Sequence, residues 1–128
     1  MAPEDCRYTR THEWIRVEGA QALVGITEHA AEQLGDVTFV ELPAEGKEVK
    51  QGQAFGSIES VKAVSDLNAP VDGVVVTVNA ALETEPELVN SSPQDQGWLV
   101  KVSVADASQV EQLLSAAEYQ AFVAEQEG

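Results

Sequence analysis

The chain has 128 residues, 44% of them apolar, and a single cysteine, Cys6, which predicts one globular core without an internal disulfide. Its 22 acidic residues against 7 basic ones, net charge −15, exclude nucleic acid and anionic membranes as partners, because phosphate binding needs clustered Lys and Arg. No run approaches the ~18 apolar residues of a membrane span, and the acidic opening Met1-Ala2-Pro3-Glu4-Asp5 argues against a secretory signal or transit peptide, so the expected location is cytoplasmic. The acidity has two readings, a solvated surface and a mobile protein that visits basic patches on larger partners.

In chain order, Cys6 falls in an N-terminus expected to be loose, with no role assigned to it. Trp14-Ile15-Arg16-Val17 and Ala22-Leu23-Val24-Gly25-Ile26 then predict a strand pair joined through Glu18-Gly19-Ala20-Gln21. The two histidines, His12 and His29, have no metal-ligand spacing, which leaves them a structural or surface role. Thr27 to Gly35 reads as a short helix, with Thr27 as N-cap and Gly35 as the left-handed stop. Asp36 to Leu42 is a strand closed by Pro43.

Gly46, Val49, Gly52, Phe55 and Ile58 fall three residues apart, which predicts strands bending at glycine around a compact core. A second glycine-punctuated β segment, Ala69 to Val78, suggests a loose internal duplication with Lys62 at the join. Leu82 to Gln96, with Pro86, Pro93 and Asn90-Ser91-Ser92, reads mostly as loop. Trp98 to Val104 alternates, with Trp98, Val100, Val102 and Val104 on one buried face. Ser108-Gln109-Val110-Glu111 and Ser115-Ala116-Ala117-Glu118 each match a capping box. Val110, Leu113, Leu114, Tyr119 and Phe122 form the apolar side of a C-terminal helical element at about 107–124, broken near Ser115. It is expected to pack on the β core, with a groove-filling role toward a partner as the alternative. The reading is one mostly β domain over 1–128, its β core at about 8–104.

The stretch Gly56 to Leu67 carries the chemistry. Phe55 and Ile58 on the way in, and Ala63 and Leu67 on the way out, alternate as a hairpin whose tip holds Lys62. The tip, Ser60-Val61-Lys62-Ala63, lacks the Asn-Gly or Gly-Xaa pair that supplies positive φ in a tight turn. A general base would need burial to lower its pKa, and a cationic clamp would need neighbouring cations. Covalent modification needs exposure, a defined presentation and room, which a hairpin tip supplies; the plainer reading of an exposed turn lysine is a solvated charge.

Glu59-Ser60-Val61-Lys62-Ala63 resembles the lipoylation motif of lipoyl carrier domains, whose fold is a flattened β barrel-sandwich hybrid with the lysine on a protruding hairpin. Biotin carriers share that fold but flank their lysine with methionines, where this chain has Val61 and Ala63. Thr9-Arg10-Thr11-His12-Glu13-Trp14, Leu34 to Pro43, Ala69-Pro70-Val71-Asp72-Gly73 and Gly97-Trp98 resemble the glycine cleavage system H proteins, over about Tyr8 to Tyr119. The resemblance implies a non-catalytic carrier with lipoic acid in amide linkage to Lys62. It implies partners too: the pyridoxal-phosphate-dependent P protein, which loads an aminomethyl group, the T protein, which passes its carbon to tetrahydrofolate, and the flavin-containing L protein, which reoxidises the arm. A lipoate ligase or a lipoyl/octanoyl transferase would attach the group, reading Glu59, Val61 and Ala63.

The same resemblance implies an arm cleft at Thr11, Glu13 and Asp66. There Glu13 and Asp66 would neutralise the cargo ammonium and Thr11 would accept a hydrogen bond. The plainer readings are surface carboxylates and a turn-capping threonine. Asn68 departs from the family pattern, which often has an aromatic residue there, and this bears on packing of the cleft near the hairpin. Two other functions stay open: a relay carrier that passes lipoate to other complexes, and an unmodified interaction module of the same fold.

Overall fold

A computed structural model describes residues 6–127, so the acidic opening read above lies outside the described residues. In order the elements are β1 (Cys6–Tyr8), β2 (Glu13–Glu18), β3 (Gln21–Ile26), α1 (Glu28–Leu34), β4 (Val37–Glu41), β5 (Glu48–Val49) and β6 (Ala54–Ser60). There follow β7 (Val64–Asn68), β8 (Gly73–Val78), a 3-10 turn (Ala80–Glu83), α2 (Leu88–Ser91), β9 (Val100–Val104), α3 (Ala107–Glu111) and α4 (Ala116–Glu127). The strands form two antiparallel sheets, ordered β1-β2-β3-β9-β8-β5 and β4-β6-β7. They share one core, in which Ile15, Val24 and Val102 from the larger sheet meet Val40, Ile58 and Leu67 from the smaller, and they do not close into a barrel. This is the sandwich form of the expected mostly β fold.

The predicted strand pair and short helix are present. Thr27 Oγ1 accepts from Ala30 N at the start of α1, and Gly35 ends it at φ 74°. Trp14 lies opposite Gly25 across β2 and β3, and a Cβ on Gly25 would come within 2.7 Å of the indole nitrogen. That glycine makes room for the ring, whose Nε1 donates to Pro93 O at 3.0 Å.

Several local expectations give way to longer-range ones. Gly46 and Gly52 stand at positive φ in turns on either side of β5, so the three-residue period records turn, strand, turn rather than bent strands. The apparent duplication is one antiparallel ribbon. From the Ser60–Ala63 turn outward, Glu59 pairs with Val64, Ser57 with Asp66 and Ala54 with Asn68, then Glu48 with Val74. Hydrogen bonds from Gly52 N to Ala69 O and from Gly46 N to Val75 O bridge the gaps, so two arms of one ribbon pass from the small sheet into the large one.

The stretch read as loop contains the end of the 3-10 turn and all of α2. Trp98 and Val104 are only half-buried, while Leu99 and Val100 are both buried, because the strand begins at Val100 and the alternation starts there. Cys6 is not in a loose segment: it is 1% exposed in β1, in a second cluster with Tyr8, Trp14 and Tyr119 beneath α4. The β core thus starts two residues before the expected position 8, and the C-terminal element runs as two helices to Glu127. The Ser115–Glu118 capping box forms in both directions. At α3 the cap is Asp106, which accepts from Ser108 N at 3.0 Å, and not Ser108 as expected. Val110 and Leu113 pack on the main core and Phe122 on the second cluster, as the core-packing reading of this element requires.

Candidate functional site

The hairpin exists as read, and its unusual tip has a local solution. Ser60 N donates to Ala63 O at 2.8 Å, and the Ser60 hydroxyl accepts from Lys62 N at 3.3 Å and Ala63 N at 3.1 Å. A side-chain oxygen thus does the work that a positive-φ backbone does elsewhere. Among the described residues the one non-glycine at positive φ is His12, at 72°, and none is in this turn.

The turn is also anchored from outside. Val61 N donates to Asp36 O at 3.0 Å, and Asn90 in α2 clamps the same joint by accepting from Val37 N at 2.8 Å and donating to Gly35 O at 2.7 Å. A Cβ on Gly35 would stand 3.2 Å from Lys62 Cε, so the lysine stem rests over the helix-ending glycine. Lys62 itself is exposed and makes no ion pair among the described residues. Glu59, Val61 and Ala63 are exposed beside it; Ala63 is not the buried position its alternation suggested.

From the foot of this turn a cleft of about 320 Å³ runs inward, lined by Ala63, Val64, Asp66, Ala30 and Leu34, with Thr11 and Glu13 in its wall. Glu13 is 2% exposed. Its Oε1 accepts from Thr9 Oγ1 at 2.6 Å and from Thr11 Oγ1, and its Oε2 accepts from Asn68 N at 3.3 Å. Burial pushes its carboxyl above the ordinary value of 4.5, against the opposite pull of those hydrogen bonds. No basic side chain pairs with it among the described residues. The structure therefore brings Thr11 and Glu13 into direct contact, with Thr11 donating to the carboxylate. Asp66 shares the cleft wall but is exposed on β7, and no hydrogen bond joins it to Thr11 or Glu13. Asn68 meets Glu13 through its backbone, a contact open to any residue but proline at that position.

One group in this wall was legible only as a bare histidine. His12 Nδ1 lies 2.8 Å from Tyr119 Oη, which lies 2.7 Å from Thr27 Oγ1, the cap of α1. Tyr119 stacks on Tyr8 at 4.7 Å, so α4 is tied to the cleft through ring packing and this chain of hydroxyls. Burial, and then the neighbouring His29, hold the His12 pKa below its ordinary 6.5, so the ring is held toward its neutral form. Among the described residues no cluster of side chains is arranged to hold a metal ion, and no helix is long and apolar enough to cross a membrane.

The family model described as glycine cleavage H-protein matches residues 6–126. The chain belongs to that family. A relative from Thermotoga maritima, named glycine cleavage system H protein, is 52% identical over 120 residues, covering 94% of this chain and 97% of its own. One from Arabidopsis thaliana, glycine cleavage system H protein 2, mitochondrial, is 49% identical over 124 residues, covering 97% of this chain and 80% of its own. The crystal structure of a glycine cleavage system H protein from Mycobacterium marinum superposes with a TM-score of 0.87 at 41% identity, over 96% of this chain and 99% of that one. Family membership thus rests on nearly the whole described fold, cleft and hairpin included.

Proposed function

We propose that this chain, acting as one domain over 1–128, is the lipoyl carrier of the glycine cleavage system, with lipoic acid in amide linkage to Lys62. When bound, the lipoyl group supplies a sulfur that carries an aminomethyl unit from the P protein to the T protein, and a dithiol that the L protein reoxidises. The residues present fit it. The lysine is exposed on an anchored turn, and the cleft beside it mixes apolar walls, from Ile26, Leu34, Ile58 and Leu67, with one buried carboxylate.

Glu13 carries the reading. Its burial disfavours the ionised form, and a cation arriving in the cleft would reverse that by offering the missing counter-charge. Thr9 and Thr11 hold Oε1 and leave Oε2 with only the Asn68 N–H, so an acceptor direction remains for an ammonium donor. Asp66 at the rim adds a second negative charge. Enclosing the cargo keeps water away between stations, and tethering raises its effective concentration at each partner. The chain performs no chemistry of its own in this reading. A lipoate relay would have no use for a buried carboxylate, so Glu13 favours the aminomethyl carrier over it.

The test is intact mass with peptide mapping after treatment with a lipoate ligase or a lipoyl/octanoyl transferase. One lipoyl increment on Lys62, and none on Lys47, Lys50 or Lys101, is expected. Reconstituted glycine decarboxylation with P, T and L proteins then separates carrier from relay. An unmodified chain beside a modified control domain would leave the interaction module.

A further inference from the structure

The small sheet has one face on the core and one open. Directly opposed residues of antiparallel strands share a face, so the pairing of Phe39 with Glu59, and of Glu59 with Val64, sets these three side chains in one row across β4, β6 and β7. All three are exposed, Phe39 by 53% and Val64 by 67%, and Val61 in the adjoining turn is exposed by 68%. Three of the six large apolar side chains exposed among the described residues thus stand at one corner, beside Lys62. The next row down is Glu41, Ser57 and Asp66, and no lysine or arginine occurs in β4, β6 or β7. An apolar row with a carboxylate at its centre and more below is a coherent contact surface and not a scatter of single residues.

We propose that the row Phe39–Glu59–Val64, with Val61, is the docking surface of the enzyme that acylates Lys62, and that this enzyme presents an apolar pocket rimmed by basic side chains. The proposal rests on the carrier reading above and extends the recognition surface from the hairpin onto β4. Two arguments select this occupant. The first is charge: the surface offers only carboxylates around its apolar groups, and a basic rim is their complement. The second is reach. In acylation the deprotonated Lys62 amine attacks an activated acyl carbonyl, the new C–N bond forms, and the bond to the activating phosphate or thiol breaks with its electrons. The proton released from the ammonium goes to solvent, and the one the amine loses on becoming an amide goes to the departing phosphate or thiolate, or to solvent. That step brings the enzyme to bonding distance of Nζ, hence against the turn and the strand ends below it. Enzymes acting on the finished arm need to reach only its far end, which a chain of methylenes separates from Nζ.

The test compares the parent chain with Phe39→Ser, Val64→Thr and, as a control, Val17→Ser at an exposed apolar site on the other sheet. The readout is the initial rate of the lipoyl mass increment with purified ligase, ATP and lipoate, all variants first shown to keep the parent's melting temperature. Loss of an anchor side chain should lower kcat/KM roughly tenfold for Phe39→Ser, chiefly through KM, less for Val64→Thr, and not for Val17→Ser. Raised salt should slow the parent. Rates for Phe39→Ser and Val64→Thr within twofold of the parent would overturn the docking surface. So would normal ligation with impaired glycine decarboxylation in Phe39→Ser, a residue outside the cleft, which would assign the row to a transfer partner. An unmodified parent would remove the carrier reading itself, an outcome distinct from a variant-specific loss.

Discussion

The two ends of the cleft are built in opposite ways. At the mouth, Lys62 stands exposed on a turn held by a serine hydroxyl and one outside anchor, with nothing paired to its charge among the described residues. Inside, Glu13 is buried and held by two threonines and a backbone N–H, in a state that resists ionisation. Attachment needs access, and retention needs enclosure. In the proposed carrier, one residue of each kind, joined by a cleft, would separate the two tasks so that each could be altered alone.

The largest expected effect is at the mouth. Lys62→Arg should keep the parent's melting temperature and abolish lipoylation altogether, as read by intact mass, because a guanidinium does not form the stable amide. Inside the cleft, Glu13→Gln with Asp66→Asn should still be lipoylated to completion and should shorten the life of the loaded form, roughly tenfold for a lost charge-assisted hydrogen bond. Chromatography of the loaded protein over time checks it, and equal decay would remove the pocket while sparing the attachment site. Asn90→Ala takes two hydrogen bonds from the joint under the turn, Gly35 O and Val37 N. It should cost about 1–3 kcal/mol in chemical denaturation and slow lipoylation with it.

The smallest effects are in pH. A carboxyl whose folded pKa is raised gives stability that is present below its unfolded value, 4.5, and lost as pH rises through the folded one. Glu13→Gln should therefore gain stability on the parent as pH climbs above 4.5 toward neutrality. His12 has the opposite sign. Its folded pKa is lowered, so the stability it supports is present above 6.5 and lost as pH falls below it. Against His12→Asn, a side chain that tolerates the positive φ, the parent should lose its advantage on that acid side, as thermal melts across the range would show.

What the sequence made legible follows the range of the interactions. The α1 caps, the strand pair at Trp14 and Ala22, and the Lys62 hairpin are local, and each is present as read. The Ser115–Glu118 box is local too, and it forms. Asn90 clamps a joint more than fifty positions away, and Tyr119 reaches His12 across nearly the whole chain, so no window of neighbouring residues carries either contact. Cys6 differs from its expected loose setting for the same reason: its burial comes from α4 packing over β1, the far end of the chain covering the near one. Within the site, Thr11 and Glu13 sit together because β2 begins at Glu13, whereas Asp66 joins them only through the cleft wall.

The ribbon from Gly46 to Val75 has a kinetic consequence. Its pairings nest about the Lys62 turn, so each closure shortens the loop left for the next, and the entropy of ring formation is spread over small steps. β3 and β9, by contrast, join Gln21 to Ser103 across most of the chain. The ribbon should zip first and the larger sheet complete around it, so that Ile58→Val would slow refolding while Val102→Ala would chiefly speed unfolding. Stopped-flow chevrons for the two variants measure this, and similar φ-values at both positions would mean that the two regions order together. If the ribbon leads, the lysine-bearing turn is among the earliest structures a nascent chain presents.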